Sequence, residues 1–271
     1  MVVFWSAAFR RMAFAVTADL RRQHLAEFLA RRGYAPLGDL AAHVGASEST
    51  IRRDLDLLEE GGQVRRTHGG AVSVSERQHP LAFTSRESTC PAEKAAIGAA
   101  AATTVDDDEV ILIDGGTTTY QLAARLLGRR LQVVTNSLPI VNLFAAQDDV
   151  ETIFLGGYLY PRTGVVLGPL IQRSLDDLHV SKAFMGASGV AEAKVYNANM
   201  LIIEAQQRMI ASADQAILLA DHTKFGRRAL LELGPLERFA RVVSDDGLDA
   251  ADRRAVAEAG CELTVAPTET Q

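Results

Sequence analysis

Near the amino end, apolar positions recur three times at helical spacing and then give way to short apolar runs. Thr17 can cap a helix from about Ala18 to Arg32, with Leu20, Leu25, Phe28 and Leu29 on or near one face and Gly33 closing it. Pro36 opens a second helix, roughly Leu37 to Val44, with Leu37, Leu40, Ala41 and Val44 inward and Gly45 supplying the turn. Ser47 caps a third, roughly Glu48 to Glu60, with Ile51, Leu55 and Leu58 inward, stopped by Gly61 and Gly62. The stretch QVRRTHGGAVSV, Gln63 to Val74, alternates around a Gly-Gly turn and predicts a two-stranded wing.

Residues 75–92 lack periodicity and hold two prolines, so they read as a linker. Beyond them strands and helices alternate. Strands are expected at Val110–Ile113, Gln132–Thr135, Thr152–Leu155, Ala183–Gly186, Ala216–Ala220, Val242–Ser244 and Glu262–Val265. Helices are expected at Glu93–Thr104, Thr118–Leu127, Leu138–Ala145, Pro169–Leu178, Leu201–Ala213 and Ala250–Ala259. Short apolar strands between helices imply an α/β fold whose mostly parallel sheet is covered on both faces. The expected organisation is an extension over 1–16, a winged helix-turn-helix over 17–74, the linker, and an α/β domain over 93–271. The extension is apolar but broken by Arg10 and Arg11, the wrong order for a signal peptide, and Met12 is an alternative start.

Charge sharpens this division. The chain of 271 residues has a net charge of −6. Residues 1–74 hold 10 arginines and 8 carboxylates, a net of +2, whereas the remainder holds 18 basic and 26 acidic residues, a net of −8. Only the first part has the balance that suits a polyanion. The two cysteines, Cys90 and Cys261, form no paired motif. That fits a reducing cytoplasm and gives no zinc or disulfide framework. No uninterrupted apolar run reaches membrane-spanning length. We expect no metal, no cofactor and no membrane partner.

Two short helices about three residues apart followed by a capped third make a helix-turn-helix pattern. In that motif the start of the last helix faces base edges in the major groove of double-stranded DNA. Here that start holds Ser47, Ser49, Thr50, Arg52 and Arg53. Hydroxyls bond bases or phosphates, and guanidinium forks suit guanine or phosphate. Arg65, Arg66 and His68 on the wing would add backbone or minor-groove contacts. Each alone also reads as an ordinary solvated side chain; the ordered set favours DNA. Asp54 would be repelled by phosphate and reads as structural, paired with a nearby arginine.

In the second half, polar and glycine-rich tips recur where strands end. The first is Asp114, Gly115, Gly116, Thr117, Thr118 and Thr119; the next is Thr135, Asn136 and Ser137; a third is Gly156 and Gly157 with Arg162 nearby; a fourth is Gly186, Ala187, Ser188 and Gly189. Glycines let amides approach an anion, helix N-termini favour it, and ligands of open α/β sheets bind along this edge. The spacing is neither a dinucleotide fingerprint nor a Walker loop. Farther on, Lys224 suits a phosphate or a solvated surface, Asp221 a sugar hydroxyl or a helix cap, and His222 a loop.

The run S-E-S-T-I-R-R-D-L followed by L-E-E-G-G-Q-V-R-R-T-H-G-G-A-V, within Asp19 to Val74, resembles the signature of the DeoR family of bacterial transcriptional regulators. The later runs D-G-G-T-T-T, V-V-T-N-S-L-P-I, F-L-G-G-Y-L-Y-P-R-T-G, V-L-G-P-L, K-A-F-M-G-A-S-G-V and L-L-A-D-H-T-K-F-G, from residue 93 to about 245, resemble its sensor domain. That domain is related to sugar-phosphate isomerases such as ribose-5-phosphate isomerase. The resemblance implies repression of a sugar or sugar-alcohol catabolic operon and a phosphorylated sugar or sugar alcohol as effector. It places Asp114, Thr117, Thr135, Asn136, Gly157, Arg162 and Lys224 at the effector. The chain departs from the family's E-x-x-x-K-R at Glu204–Arg208 and from its commoner acidic variant at Val195–Met200. A homodimer or homotetramer is expected, because helix-turn-helix proteins usually grip two half-sites. Two other functions compete: an isomerase-like enzyme with Asp114, Glu204 or Asp221 as base, and an activator of the same architecture.

Overall fold

The computed structural model describes residues 18–32, 34–61, 63–67, 69–73 and 83–268. The extension, Thr17, Gly33, Gly62, His68, Val74, the linker residues 75–82 and residues 269–271 lie outside the described residues. The chain divides into two compact units, Met1–His79 and Pro80–Gln271.

The first unit runs α1 (Ala18–Arg32), β1 (Tyr34–Pro36), α2 (Leu37–Val44), α3 (Glu48–Glu60), β2 (Val64–Thr67) and β3 (Gly70–Ser73). All three expected helices form. Leu25, Leu29, Leu40, Ile51, Leu55 and Leu58 make the core with Val64 and Ala71 of the wing. Burying each leucine or isoleucine contributes roughly 2 kcal/mol. Leu20, expected near the inward face, is instead 44% exposed in the first turn of α1. Gly45 turns the chain between α2 and α3 at φ 66°, in the left-handed region, and its N–H returns to Ala41. The wing has a third strand that periodicity did not predict. β1 pairs antiparallel with β3, and a Cβ at Gly70 would sit 2.1 Å from the Ala35 carbonyl oxygen, so only glycine admits that pairing.

The second unit begins with α4 (Phe83–Glu87), a short helix inside the stretch expected to be linker, and α5 (Pro91–Ala102). It continues β4 (Val110–Ile113), α6 (Thr117–Arg125), β5 (Leu131–Thr135), α7 (Leu138–Phe144), β6 (Val150–Phe154), β7 (Tyr158–Tyr160), β8 (Val165–Leu167) and α8 (Pro169–Asp176). Then come β9 (Val180–Gly186), β10 (Gly189–Ala191), β11 (Lys194–Asn197), α9 (Met200–Ala211), β12 (Ala213–Leu219), β13 (Leu231–Pro235), β14 (Arg241–Asp245), α10 (Ala250–Glu258) and β15 (Glu262–Ala266).

The seven expected strands form one sheet, in the order β15-β14-β12-β9-β4-β5-β6, with every pairing parallel. Alternation sends Ile111, Ile113, Phe184 and Ile217 to one face, where Ile97 of α5, Leu122 of α6 and Ile140 and Phe144 of α7 cover them. Leu112, Ala183, Met185 and Leu218 go to the other, under Ile171 and Leu175 of α8, Ile203 and Met209 of α9 and Val256 of α10. Both faces are buried, which is why these strands read as apolar runs. From β4 the chain steps outward through β5 and β6, then returns to β9 on the other side of β4. The order therefore reverses between β4 and β9, and ligands of such sheets bind beyond the carboxyl ends of strands at that point. Two antiparallel additions, β7–β8 and β10–β11–β13, lie outside the main sheet.

Candidate functional sites

In the first unit, the Ser47 hydroxyl accepts from the Thr50 amide at 3.3 Å and lies 2.9 Å from both the Ser49 and Thr50 hydroxyls. The cap therefore consumes part of the hydroxyl cluster that also faces outward. Arg52 meets Glu48 at 3.1 Å, one turn earlier, while Arg53 is exposed and enters no ion pair among the described residues. On the wing Arg65 is exposed. The Arg66 amide donates to Glu59 at 2.8 Å and its guanidinium meets Asp56. Asp54 is buried and takes Arg21 in a forked pair, Nε at 2.6 Å and Nη2 at 3.2 Å, with Arg22 at 3.7 Å. The pair raises the Arg21 pKa, chiefly through its hydrogen bond to the carboxylate. Asp54 is thus a strut between α1 and α3, as expected from its charge.

In the second unit the topological reversal brings Asp114, just past β4, against Gly186, the last residue of β9. Asp114 is 3% exposed. Its Oδ2 accepts from the Gln206 side chain at 2.7 Å and from the Gly186 amide at 3.4 Å, and its own amide donates to Phe184 at 3.0 Å. Burial pushes its pKa up to about 6, against the Gln206 amide, the Gly186 and Gly115 amides and the Arg86 charge, which all pull it down. Asn136 ties three segments together. It accepts from the Gly115 amide at 3.2 Å and donates to Val166 of β8 at 3.3 Å. A Cβ at Gly115 would lie 2.1 Å from Val165 Cγ1, so this glycine serves close packing of the β4 tip on β8. The Thr135 hydroxyl is consumed between the Ile113 carbonyl, 2.7 Å, and the Ser137 amide, 3.1 Å. Thr119 holds the Asp114 and Gly116 carbonyls. Tyr120 is the first amide of α6 bonded back, to Gly116, which leaves the amides of Thr117, Thr118 and Thr119 without a helical acceptor. Gly156, Gly157 and Arg162 are exposed.

Asp221 is 1% exposed and does two things. Its Oδ1 accepts from the Thr223 amide at 3.1 Å and from the Thr223 hydroxyl, capping the 3-10 turn His222–Lys224. Its Oδ2 has no hydrogen-bond partner and stands 3.9 Å from Lys224 Nζ. His222 is no free loop residue: its Nδ1 and amide both bond the buried Asp245, each at 2.7 Å.

Two cations that the sequence did not flag belong to this rim. Arg86, on α4, is largely buried; its Nε and Nη2 have no partner. Burial pushes its pKa down, and Asp114 opposes that. Lys94, on α5, is buried and donates to the Arg86 and Thr89 carbonyls. Burial lowers its pKa too, with the charges of Asp221, Lys224 and Arg86 acting on it. Ser85, Ser137 and Thr163 contribute further buried hydroxyl oxygens without partners. Native interiors satisfy nearly all such groups. A groove of about 600 Å³ lies elsewhere, between α8 and α9. Its walls close their own pairs, Gln172 with Glu204 and Arg208 with Asp176, and it gathers none of the unpartnered atoms. Among the described residues no helix is long and apolar enough to cross a membrane.

A family model described as the DeoR-like helix-turn-helix domain matches residues 21–77, and one described as the DeoR C terminal sensor domain matches residues 89–246. Together with the winged unit they define a DNA-binding transcriptional regulator with a sensor domain. The chain belongs to the DeoR family. It is 33% identical over 248 residues to the uncharacterized HTH-type transcriptional regulator YulB of Bacillus subtilis, covering 91% of this chain and 96% of that one. It is 31% identical to the HTH-type transcriptional regulator IolR of the same organism, covering 85% and 92%. To the glycerol-3-phosphate regulon repressor of Escherichia coli it is 28% identical, covering 83% and 90%. Among solved structures, ribose 5-phosphate isomerase A from Methanocaldococcus jannaschii overlaps 49% of this chain and 53% of its own, at 17% identity and a TM-score of 0.36, too slight a likeness to argue from.

Proposed function

We propose that this protein is a cytoplasmic repressor of a sugar or sugar-alcohol catabolic operon, released from its operator by a phosphorylated sugar or sugar alcohol bound at the carboxyl rim of the seven-stranded sheet. The observation that carries the reading is the cluster of buried polar atoms left without partners there, above all the Arg86 guanidinium and Asp221 Oδ2. A buried donor or acceptor without a partner costs about 1–3 kcal/mol, more when charged. A phosphate ester fills both needs, with an anionic group for Arg86, Lys224 and the free amides of α6, and hydroxyls for Asp114 and Asp221. Names of relatives point the same way: an L-fucose operon activator and a glycerol-3-phosphate regulon repressor. Those names include both signs of regulation; the family resemblance favours repression.

The Arg86 charge acts on Asp114, so an effector that meets both draws on α4. In chain order α4 is the first helix after the winged unit, and on this reading the ligand's pull on Arg86 is what carries the response toward DNA binding. Control over a hundredfold range needs about 2.7 kcal/mol of coupling, within the usual allosteric range. On this reading the site binds its ligand without turning it over, and the chain works as a dimer or tetramer on paired half-sites. A thermal-shift screen against glycerol 3-phosphate, ribose 5-phosphate, fructose 6-phosphate, glucitol 6-phosphate and inorganic phosphate tests it. Stabilisation by a phosphate ester, without product in the same tube, supports the reading. Turnover would revive the isomerase, and no response to any phosphate compound would remove the sensor assignment.

A further inference from the structure

Gln206 of α9 carried no signal in the sequence, yet it is 1% exposed and touches the centre of the rim. Both of its side-chain N–H bonds are spent, one on Asp114 Oδ2 at 2.7 Å and one on the Gly186 carbonyl at 2.9 Å. Its oxygen accepts from Asn197 Nδ2 at 3.0 Å. The Asn197 oxygen in turn accepts from the Ala198 amide at 3.0 Å and from the Ser188 hydroxyl at 2.6 Å. The chain joins the ends of β4 and β9, the helix α9 and the β10–β11 hairpin.

The chain admits one polarity. Asp114 and the Gly186 carbonyl are both acceptors, so the Gln206 amide nitrogen must face them and its oxygen must face Asn197. Asn197 must then present its nitrogen to Gln206 and its oxygen to Ala198. The Ser188 proton is thereby committed inward. Asp114 and Ser188, the two ends of the chain, are left with lone pairs only. A group that meets them must bring its own hydrogens. A hydroxylated carbon does so; a carboxylate, a phosphate dianion or a ketone oxygen does not. Cooperative polarisation within such a chain strengthens the demand.

We infer that Gln206 and Asn197 are positioning residues that fix Asp114 and Ser188 as acceptors, so that the rim selects the polyhydroxylated part of a phosphate ester and leaves the phosphate to the cations. This rests on the effector reading above and adds the polarity of its sugar end. The test is calorimetry on the full chain with inorganic phosphate and with the four phosphate esters named above. Wild type should bind at least one ester about tenfold or more tighter than inorganic phosphate, the factor that about 1.4 kcal/mol supplies. Asn197→Asp puts an acceptor against the Gln206 oxygen and breaks the chain at that link, because Gln206 cannot turn round without setting its oxygen against Asp114 and the Gly186 carbonyl. It should bring that preference close to one, with phosphate affinity within about twofold of wild type. Ser188→Ala, which spares the buried links, should lower the preference part of the way and serves if Asn197→Asp fails to fold. An unchanged preference in the folded variants overturns the inference while the effector reading stands. Failure of wild type to bind either phosphate or ester overturns both.

Discussion

The two units carry their chemistry in opposite ways. At the start of α3 and on the wing, the groups expected to meet DNA stand outside, and α3 is braced from behind by the buried Asp54–Arg21 pair. At the rim of the parallel sheet Asp114, Thr135, Asn136, Ser137 and Asp221 lie inside, two of them with an unpartnered oxygen, while Gly156, Gly157 and Arg162 stand outside. An exposed surface braced from behind suits a partner that is always presented in the same form. A covered site whose polar groups lack partners suits a ligand whose arrival must change something. The contrast predicts that damage to the first unit costs affinity or folding, whereas damage to the second costs response.

The largest effect should come from removing the brace. Asp54→Ala leaves the Arg21 charge part-buried without its partner and should destabilise the winged unit by roughly 3 kcal/mol, seen as an earlier thermal transition. Next is Asp114. Its pKa of about 6 lies above the ordinary 3.8, so the folded state disfavours the ionised form. That group's contribution is most favourable below pH 4 and is lost as pH rises through 6. Wild type compared with Asp114→Asn should therefore lose about 2 kcal/mol of relative stability between pH 4 and 7.5, measured by chemical denaturation. A flat difference would mean that Asp114 is not the buried acid described. Arg53→Ala should weaken operator binding by about 1–2 kcal/mol and lower the salt slope by about one, with the effector response intact. Smallest is Leu20→Ser, which should change stability by less than about 0.5 kcal/mol because the first turn of α1 is exposed.

The sequence was most legible where structure is local. Each helix of the winged unit and each strand of the large sheet is decided by its own periodicity. The strand β1 was not, because its pairing depends on Gly70, more than thirty residues away, and a three-residue strand ending in proline has no pattern of its own. β7, β8 and β10 were missed for the same shortness, three residues each, and β11 and β13 because K-V-Y-N and L-E-L-G-P form no apolar run like those of the large sheet. At the rim, Asp114 and Asp221 stood out because they follow apolar runs. Thr135 and Gly115 stood out too, but their chemistry is consumed in holding β4, β5 and β8 together. Arg86, Lys94 and Gln206 were invisible. R-E-S-T reads as linker and A-E-K-A as solvated helix, and only the packing of α4 against α6 and of α5 against α6 and the sheet buries those cations. Gln206 reads as one more polar position on an amphipathic helix until β9 places Gly186 beside it.

A phosphate ester held at this rim should loosen the grip on DNA. Fluorescence anisotropy of a labelled operator duplex at fixed salt, titrated with the ester that stabilises the protein, tests it directly. Saturating ester should weaken wild-type binding at least about tenfold, that is by at least about 1.4 kcal/mol of coupling. Arg86→Ala should bind the same duplex normally but need far more ester for release. Wild-type DNA affinity that stays constant while calorimetry shows the ester bound would contradict it.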